Sequence, residues 1–377
     1  MTIEPGLRRF SLAVACLAAM LALPGCASPP GEAPRPEYYG RADFASVPKF
    51  DAHVHANSTE TAFLEQARAD DFELLSINVD YPDFTSLAMQ EEAALKLAAI
   101  DPGRFHFATT FSMNGWGRAE WVAAVNSRLD QAVARGAVAV KVWKNIGMSV
   151  RNAQGELVML DDPGLDAVFE HVRELGVPLI GHAGEPRNCW LPLEEMTTEN
   201  DRSYFREHPQ YHMYLHPEMP SYEAQMAARD RRLERTAGLV FVGAHLASLE
   251  WSVDRLAAFL DAYPKAVVDI AARMTQLQYQ SRRDREQVRQ FFIRYQDRIL
   301  YGSDLTFDAG AEAAAFRREA HEFWLSDWIY LATAETQRID ALDADIAGLQ
   351  LPRGVIDKIY WSNAQRTFFG TRPAPAA

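Results

Sequence analysis

Cysteine is scarce in this 377-residue chain, with three thiols at Cys16, Cys26 and Cys189. So few, and so placed, exclude a disulfide-stapled fold. Excess positive charge is also missing. Lys plus Arg number 38 against 51 Asp plus Glu, for a net charge of −13, which argues against nucleic acid as a partner. No glycine fingerprint for a dinucleotide is present, since Gly115-Trp116-Gly117 lacks its third glycine. The apolar run 12–23 falls short of the roughly 20 residues that span a bilayer as a helix. What is present is an ordinary globular composition, 48% hydrophobic, long enough for one large domain.

Residues 1–25 carry Arg8 and Arg9, then the apolar run, then Leu23-Pro24-Gly25-Cys26, the three-part layout of an export signal. Leu-Pro-Gly-Cys resembles a bacterial lipoprotein lipobox, which implies cleavage before Cys26 and lipidation of its thiol. Ala27 and Ser28 lack the aspartate that retains such proteins at the inner membrane, so a periplasmic protein anchored at the outer membrane is expected. With Cys16 removed and Cys26 lipidated, Cys189 is the only thiol left free. Residues 26–46, with Pro29, Pro30, Pro34 and Pro36, read as a flexible tether, 47–370 as the folded domain, and 371–377 as a disordered tail.

From residue 47 short β-branched and aromatic runs alternate with longer amphipathic segments, the pattern of βα units around a parallel sheet. Strands are expected at 49–55, 73–79, 106–111, 137–143, 178–182, 239–245, 266–270 and 298–304. Helices are expected at 86–99, 119–136, 163–175, 222–236, 253–262 and 283–297. Eight strands in this length point to an α/β fold, a (β/α)₈ TIM barrel, with its site at the carboxyl ends of the strands. Two longer segments follow strands 5 and 8. Residues 184–221 hold Trp190, Tyr204, Phe205, His208, Tyr211, His212, Tyr214 and His216, enough to wall or cover a barrel mouth. Residues 305–337 carry His321, Phe323, Trp324, Trp328 and Tyr330 at helical spacing, a pattern that usually packs a core.

The polar residues ending these strands are His53 and His55, Lys141, His182, His245 and Asp304. His53 and His55 share a face if the run is a strand. A glycine lies within two residues of His182, His245 and Asp304, where backbone and ligands must crowd. Any one could be a cap or a satisfied core group. Six at strand ends read as one site.

These stretches resemble the amidohydrolase superfamily, in its related branch of metal-dependent decarboxylases and lactonases. The resemblance covers most of residues 48–370 and rests on FDAHVH, AVKVWKN, LIGHAGE, VFVGAHLAS, ILYGSDLTF and KIYWSNAQRTFFG. It implies that His53, His55 and Asp304 bind a first metal and that His182 binds it or a second one. It also implies that Lys141, where carboxylated, bridges two metals, in which case His245 ligates the second.

Imidazoles and a carboxylate suit a borderline divalent ion, Zn²⁺ above all, with one or two ions left open. Asp304 suits general acid–base work on a metal-activated water. With a single metal, His245 would polarise the substrate carbonyl. Arg273 beyond strand 7 could pair with a substrate carboxylate, and Asp269 could orient a ligand histidine. Trp190 and Tyr214, with His212 and His216, are the substrate-side candidates of the long insertion. Lys144 reads as a loop residue.

The expected function is a metal-dependent hydrolase that cleaves an amide, lactone or ester of a small molecule. The rivals are a non-oxidative decarboxylase of a small unsaturated or aromatic acid and a non-catalytic binding protein tethered to the envelope. No nucleic acid is expected as a partner, the membrane is met only through the lipid anchor, and oligomeric state is left open.

Overall fold

The structure, a computed structural model, describes residues 36–370. The export signal, Cys26 and the tail 371–377 lie outside the described residues. Strands β1 (Lys49–Ala56), β2 (Phe72–Ile77), β3 (Phe105–Thr110), β4 (Ala139–Val142), β5 (Leu179–Gly181), β6 (Phe241–Gly243), β7 (Ala266–Asp269) and β8 (Ile299–Leu300) pair in parallel, each with its sequence neighbour, and β9 (Thr306–Phe307) follows β8. β9 pairs with β1, so the sheet returns to its start. The break between β8 and β9 is local. Tyr301 O accepts from Ala52 N at 2.9 Å, and Asp304 N donates to His53 O at 2.8 Å, so one eighth segment closes the α/β barrel on β1.

Helices alternate with the strands where the amphipathic pattern places them. Leu87–Ile100, Tyr222–Arg235 and Val253–Ala262 start on serine caps, in which Ser86, Ser221 and Ser252 accept from the backbone N–H three residues on. Helix Asp166–Leu175 ends on Gly176 at φ 71°, the left-handed terminus that glycine adopts freely. The barrel interior is an apolar layer with a member from each of β1 to β8, including Phe50, Ile77, Ala108, Ala139, Ile180 and Leu300. Two residues beyond that layer, on the same face, stand Lys141, His182 and Asp269.

Strand β1 breaks this alternation. Its register against β2 shifts between Asp51 and Val54. Without a shift, His53 and His55 would face away from Phe50 and Ala52; the bulge turns the pair inward. Asp51 holds the bulge from outside, accepting from His53 N (3.2 Å), Ser303 N (3.0 Å) and Trp324 Nε1 (2.9 Å).

The segment after β5 folds into short 3-10 turns and the helix Glu199–Glu207, around a small core of Cys189, Met196, Phe205 and Met213. The segment after β9 is mostly the helix Ala313–Ala332, and Trp324, Trp328 and Tyr330 are buried in the core as their spacing suggests. An antiparallel hairpin, β10 (Thr336–Ile339) with β11 (Ala344–Ala347), follows. The expected tether to residue 46 is shorter than its proline content implies. Phe44 is buried, Tyr39 hydroxyl donates to Asp357, and Gly40 O accepts from Trp328 Nε1, so residues 39–45 pack on the domain.

Candidate metal centre

Four histidines, a lysine and an aspartate meet at the carboxyl ends of the strands. A cavity of about 170 Å³ is lined by His53, His55, Lys141, His182, His245 and Asp304. One ligand atom from each of His53, His245 and Asp304 lies within 4.8 Å of the other two. His53 Nε2 stands 3.3 Å and His55 Nε2 3.2 Å from Asp304 Oδ1. Lys141 Nζ is 3.5 Å from His53 Nε2. The His245 ring lies 4.7 Å from that of His53 and 4.3 Å from that of His182, centroid to centroid.

The outward nitrogens of three rings are already committed. His55 Nδ1 is 2.8 Å from Ile77 O, and His245 Nδ1 is 2.9 Å from Ala271 O. A carbonyl only accepts, so each Nδ1 carries the hydrogen, and in the neutral ring Nε2 presents a lone pair to the cavity. His53 Nδ1 is held in the same way by Asp269 Oδ2 at 2.9 Å. Lone pairs therefore converge on the Asp304 carboxylate, an arrangement that repels itself unless a cation or protons lie between. His182 Nε2 is buried without a hydrogen-bond partner. Burial holds His53, His182 and His245 below the usual histidine range, which favours the neutral, ligating form. Burial raises the Asp304 carboxyl, but the positive charge that His245, His55 and His53 carry when protonated outweighs it and holds the group well below its ordinary value. The donor set fits a divalent cation, and the partners behind each ring fit the support that metal-binding histidines require.

Local backbone geometry sets these side chains. His245, Leu246, Ala247 and Ser248 all lie near φ +55°, one left-handed turn without a glycine. Such residues cost about 1–2 kcal/mol each. The turn is held from three sides: Asp269 Oδ1 accepts from His245 N (2.8 Å), Tyr222 hydroxyl donates to Ser248 O (2.5 Å), and buried Arg229 donates to Ala247 O. Asp304 is also left-handed, at φ 71°. At Gly302 a Cβ would lie 3.0 Å from that of His53, so the crowding expected beside the ligands is real.

Residues 32–370 match the family model described as Amidohydrolase. The chain belongs to the amidohydrolase family. Its enzymes depend on metal ions, and the His/Asp grouping above is where this amidohydrolase can hold one. Among solved structures the chain is similar to a 2,6-dihydroxybenzoate decarboxylase from Rhizobium, at 15% identity over 85% of this chain and 98% of that one, TM-score 0.49. It is also similar to a putative 2-pyrone-4,6-dicarboxylic acid hydrolase from Pseudomonas putida, at 12% identity over 87% and 99%, TM-score 0.44. A D-hydantoinase from Thermus sp. shares 12% identity over 86% of this chain and 71% of its own, TM-score 0.43. A search among curated proteins finds no match.

The substrate-side expectations for this amidohydrolase divide. Asp269 stands behind His53, as expected of an orienting group. Arg273 is not among the residues lining the cavity; its Nη1 donates to Ala272 O at 2.8 Å and its Nε is buried without a partner. Trp190 is turned into the insertion, where its indole donates to Pro220 O at 3.1 Å and its ring packs on Tyr222. Tyr214 is exposed and stacks on His212, whose Nε2 is tied to Leu191 O. Two aromatics compete for internal partners and lose their reach. In their place stand Tyr81, Phe84, Trp143 and Lys144, all lining the metal cavity. Trp143 and Lys144 directly follow β4, a position that carries function in a barrel, so the loop placement expected for Lys144 is the one that brings it to the cavity.

Proposed function

We propose that this amidohydrolase is a metal-dependent hydrolase that cleaves an amide, lactone or ester of a small molecule. The observation that carries the reading is Asp304, ionised, within 3.3 Å of two histidine nitrogens, yet with its side chain 30% exposed toward the opening. A carboxylate so placed can touch both the cation site and an arriving water.

When bound, a divalent ion supplies Lewis-acid polarisation of a carbonyl and makes water more acidic, to a pKa near roughly 7 in zinc enzymes. His53, His55, His182 and His245 with Asp304 are the residues that would hold it. Asp304 accepts the proton of the attacking water on a carboxylate oxygen and returns it to the leaving nitrogen or oxygen. Asp269 keeps His53 in one tautomer throughout. Lys141, buried and pulled down to about 8, is partly uncharged near neutrality and so available to a ligand role, carboxylated or free.

The test is turnover of a panel of simple esters, lactones and amides by wild type and Asp304→Asn. The variant should unfold at an unchanged temperature while hydrolysis falls by about 10²–10⁴-fold. Undiminished hydrolysis in Asp304→Asn, or release of CO₂ from carboxylic acids with no hydrolysis by wild type, overturns the proposal.

A further inference from the structure

Beside the metal cavity lies a second cleft of about 270 Å³ that shares Tyr81, Trp143 and Lys144 with it. One wall is a chain of rings leading outward from a ligand histidine. His55 packs on Phe84 (5.1 Å), Phe84 on Tyr81 (5.1 Å) and Tyr81 on Trp143 (4.7 Å). The facing wall belongs to the insertion after β5, where Tyr204 and Tyr211 lie parallel within 8°, with Met213 beside them in the lining. Cavities of about 150 Å³ lined by apolar side chains already admit benzene.

The one lysine of this cleft is paired: Lys144 meets Glu185 at the throat. Near the rim the exposed Glu218 carboxylate lies 3.5 Å from His216 Nδ1. No free lysine or arginine is left in the lining to meet a carboxylate, whereas flat π faces and methionine sulfurs favour a planar, uncharged group.

We infer that the second cleft is the specificity site of this enzyme and that it takes an uncharged planar ring attached to the reacting carbonyl. The inference rests on the hydrolase reading, and it names Trp143 and Tyr211, on opposite walls, as the residues that select the substrate. The ring stacks between the walls, and the Lys144–Glu185 pair meets the polar linkage where it enters the metal cavity. Because the insertion supplies one wall, it sets specificity while the strand ends set chemistry.

The test is calorimetric titration of the full-length Asp304→Asn protein, so that binding is read without turnover. Three probes are compared: benzamide, cyclohexanecarboxamide and 4-carbamoylbenzoate. Benzamide and cyclohexanecarboxamide share ring size and polar group but differ in planarity. Benzamide should bind at least fivefold more tightly than either other probe, since one ring contact contributes a factor of about two to twelve. Adding Trp143→Ala or Tyr211→Ala should bring benzamide and cyclohexanecarboxamide within twofold. Equal affinities in the unmodified cleft, an unchanged ratio in both wall variants, or no benzamide binding at all overturns the inference. Failure of the hydrolase reading would appear instead in the turnover of wild type, which these titrations do not use.

Discussion

His53 illustrates how one side chain is fixed on both ends. Its Nδ1 meets the buried Asp269 carboxylate, and its Nε2 faces Asp304 and Lys141. Burial raises the Asp269 carboxyl, but His53, which donates its Nδ1–H to it, and the nearby Lys141 help to outweigh that, so the group is held below its ordinary value. Asp269 touches no substrate in this account and acts as a positioning residue for His53, and through Oδ1 for His245 as well. Asp269→Asn should therefore lower metal affinity by about 10–100-fold. Chelator competition reads that loss, and far-UV circular dichroism should stay unchanged; affinity equal to wild type would remove Asp269 from the site. That His53, His55, His182, His245 and Asp304 gather at one place was legible in the sequence, because metal chemistry restricts residue type and strand ends restrict place. Which nitrogen of each ring faces the metal was not legible. That depends on Ile77 O and Ala271 O, backbone atoms with no signature in residue type.

At the scale of elements, the left-handed turn His245–Ser248 could not be foreseen, since the sequence places Ala-His-Leu-Ala-Ser there and no glycine marks the change of hand. Tertiary partners impose it, chiefly Tyr222 and Arg229 from helix Tyr222–Arg235. Arg229 is buried and its guanidinium also lies 4.2 Å over the Phe259 ring. Arg229→Gln should loosen the turn and with it His245. The expected outcome is metal affinity reduced by roughly tenfold, with the helix content retained. A variant that keeps full affinity would show that the turn holds itself. The bulge in β1 is a second such case: the His-x-His spacing predicts a shared face, but not that the face changes side after Ala52. The aromatics of the insertion are a third. Tyr204 and Tyr211 reach the cleft while Trp190 and Tyr214 do not, because Pro220 O and His212 hold those two elsewhere.

Across the whole molecule, the barrel was readable from eight alternating units, and its closure explains why the strand ends form one site. Closing it also buries two acids between β1, β8 and helix Ala313–Ala332. Burial pushes the Asp327 carboxyl up to about 8 despite the hydrogen bond from Tyr301, and Asp51 adds to the rise; burial likewise pushes Asp51 up to about 6. An unfolded aspartate titrates near roughly 3.9. The folded state thus binds protons more tightly than the unfolded one, and stability from these groups is lost as pH rises from about 4 toward 8. Urea midpoints should fall between pH 5 and pH 8 in wild type and fall less in Asp327→Asn; equal slopes would contradict this. The central claim, that the converging lone pairs and carboxylate exist to hold a metal, is tested most directly by metal content. Full-length protein purified without chelators should carry at least one equivalent of a divalent ion, and His53→Ala should lose it. Wild type without metal, or a variant that retains as much as wild type, would contradict the account.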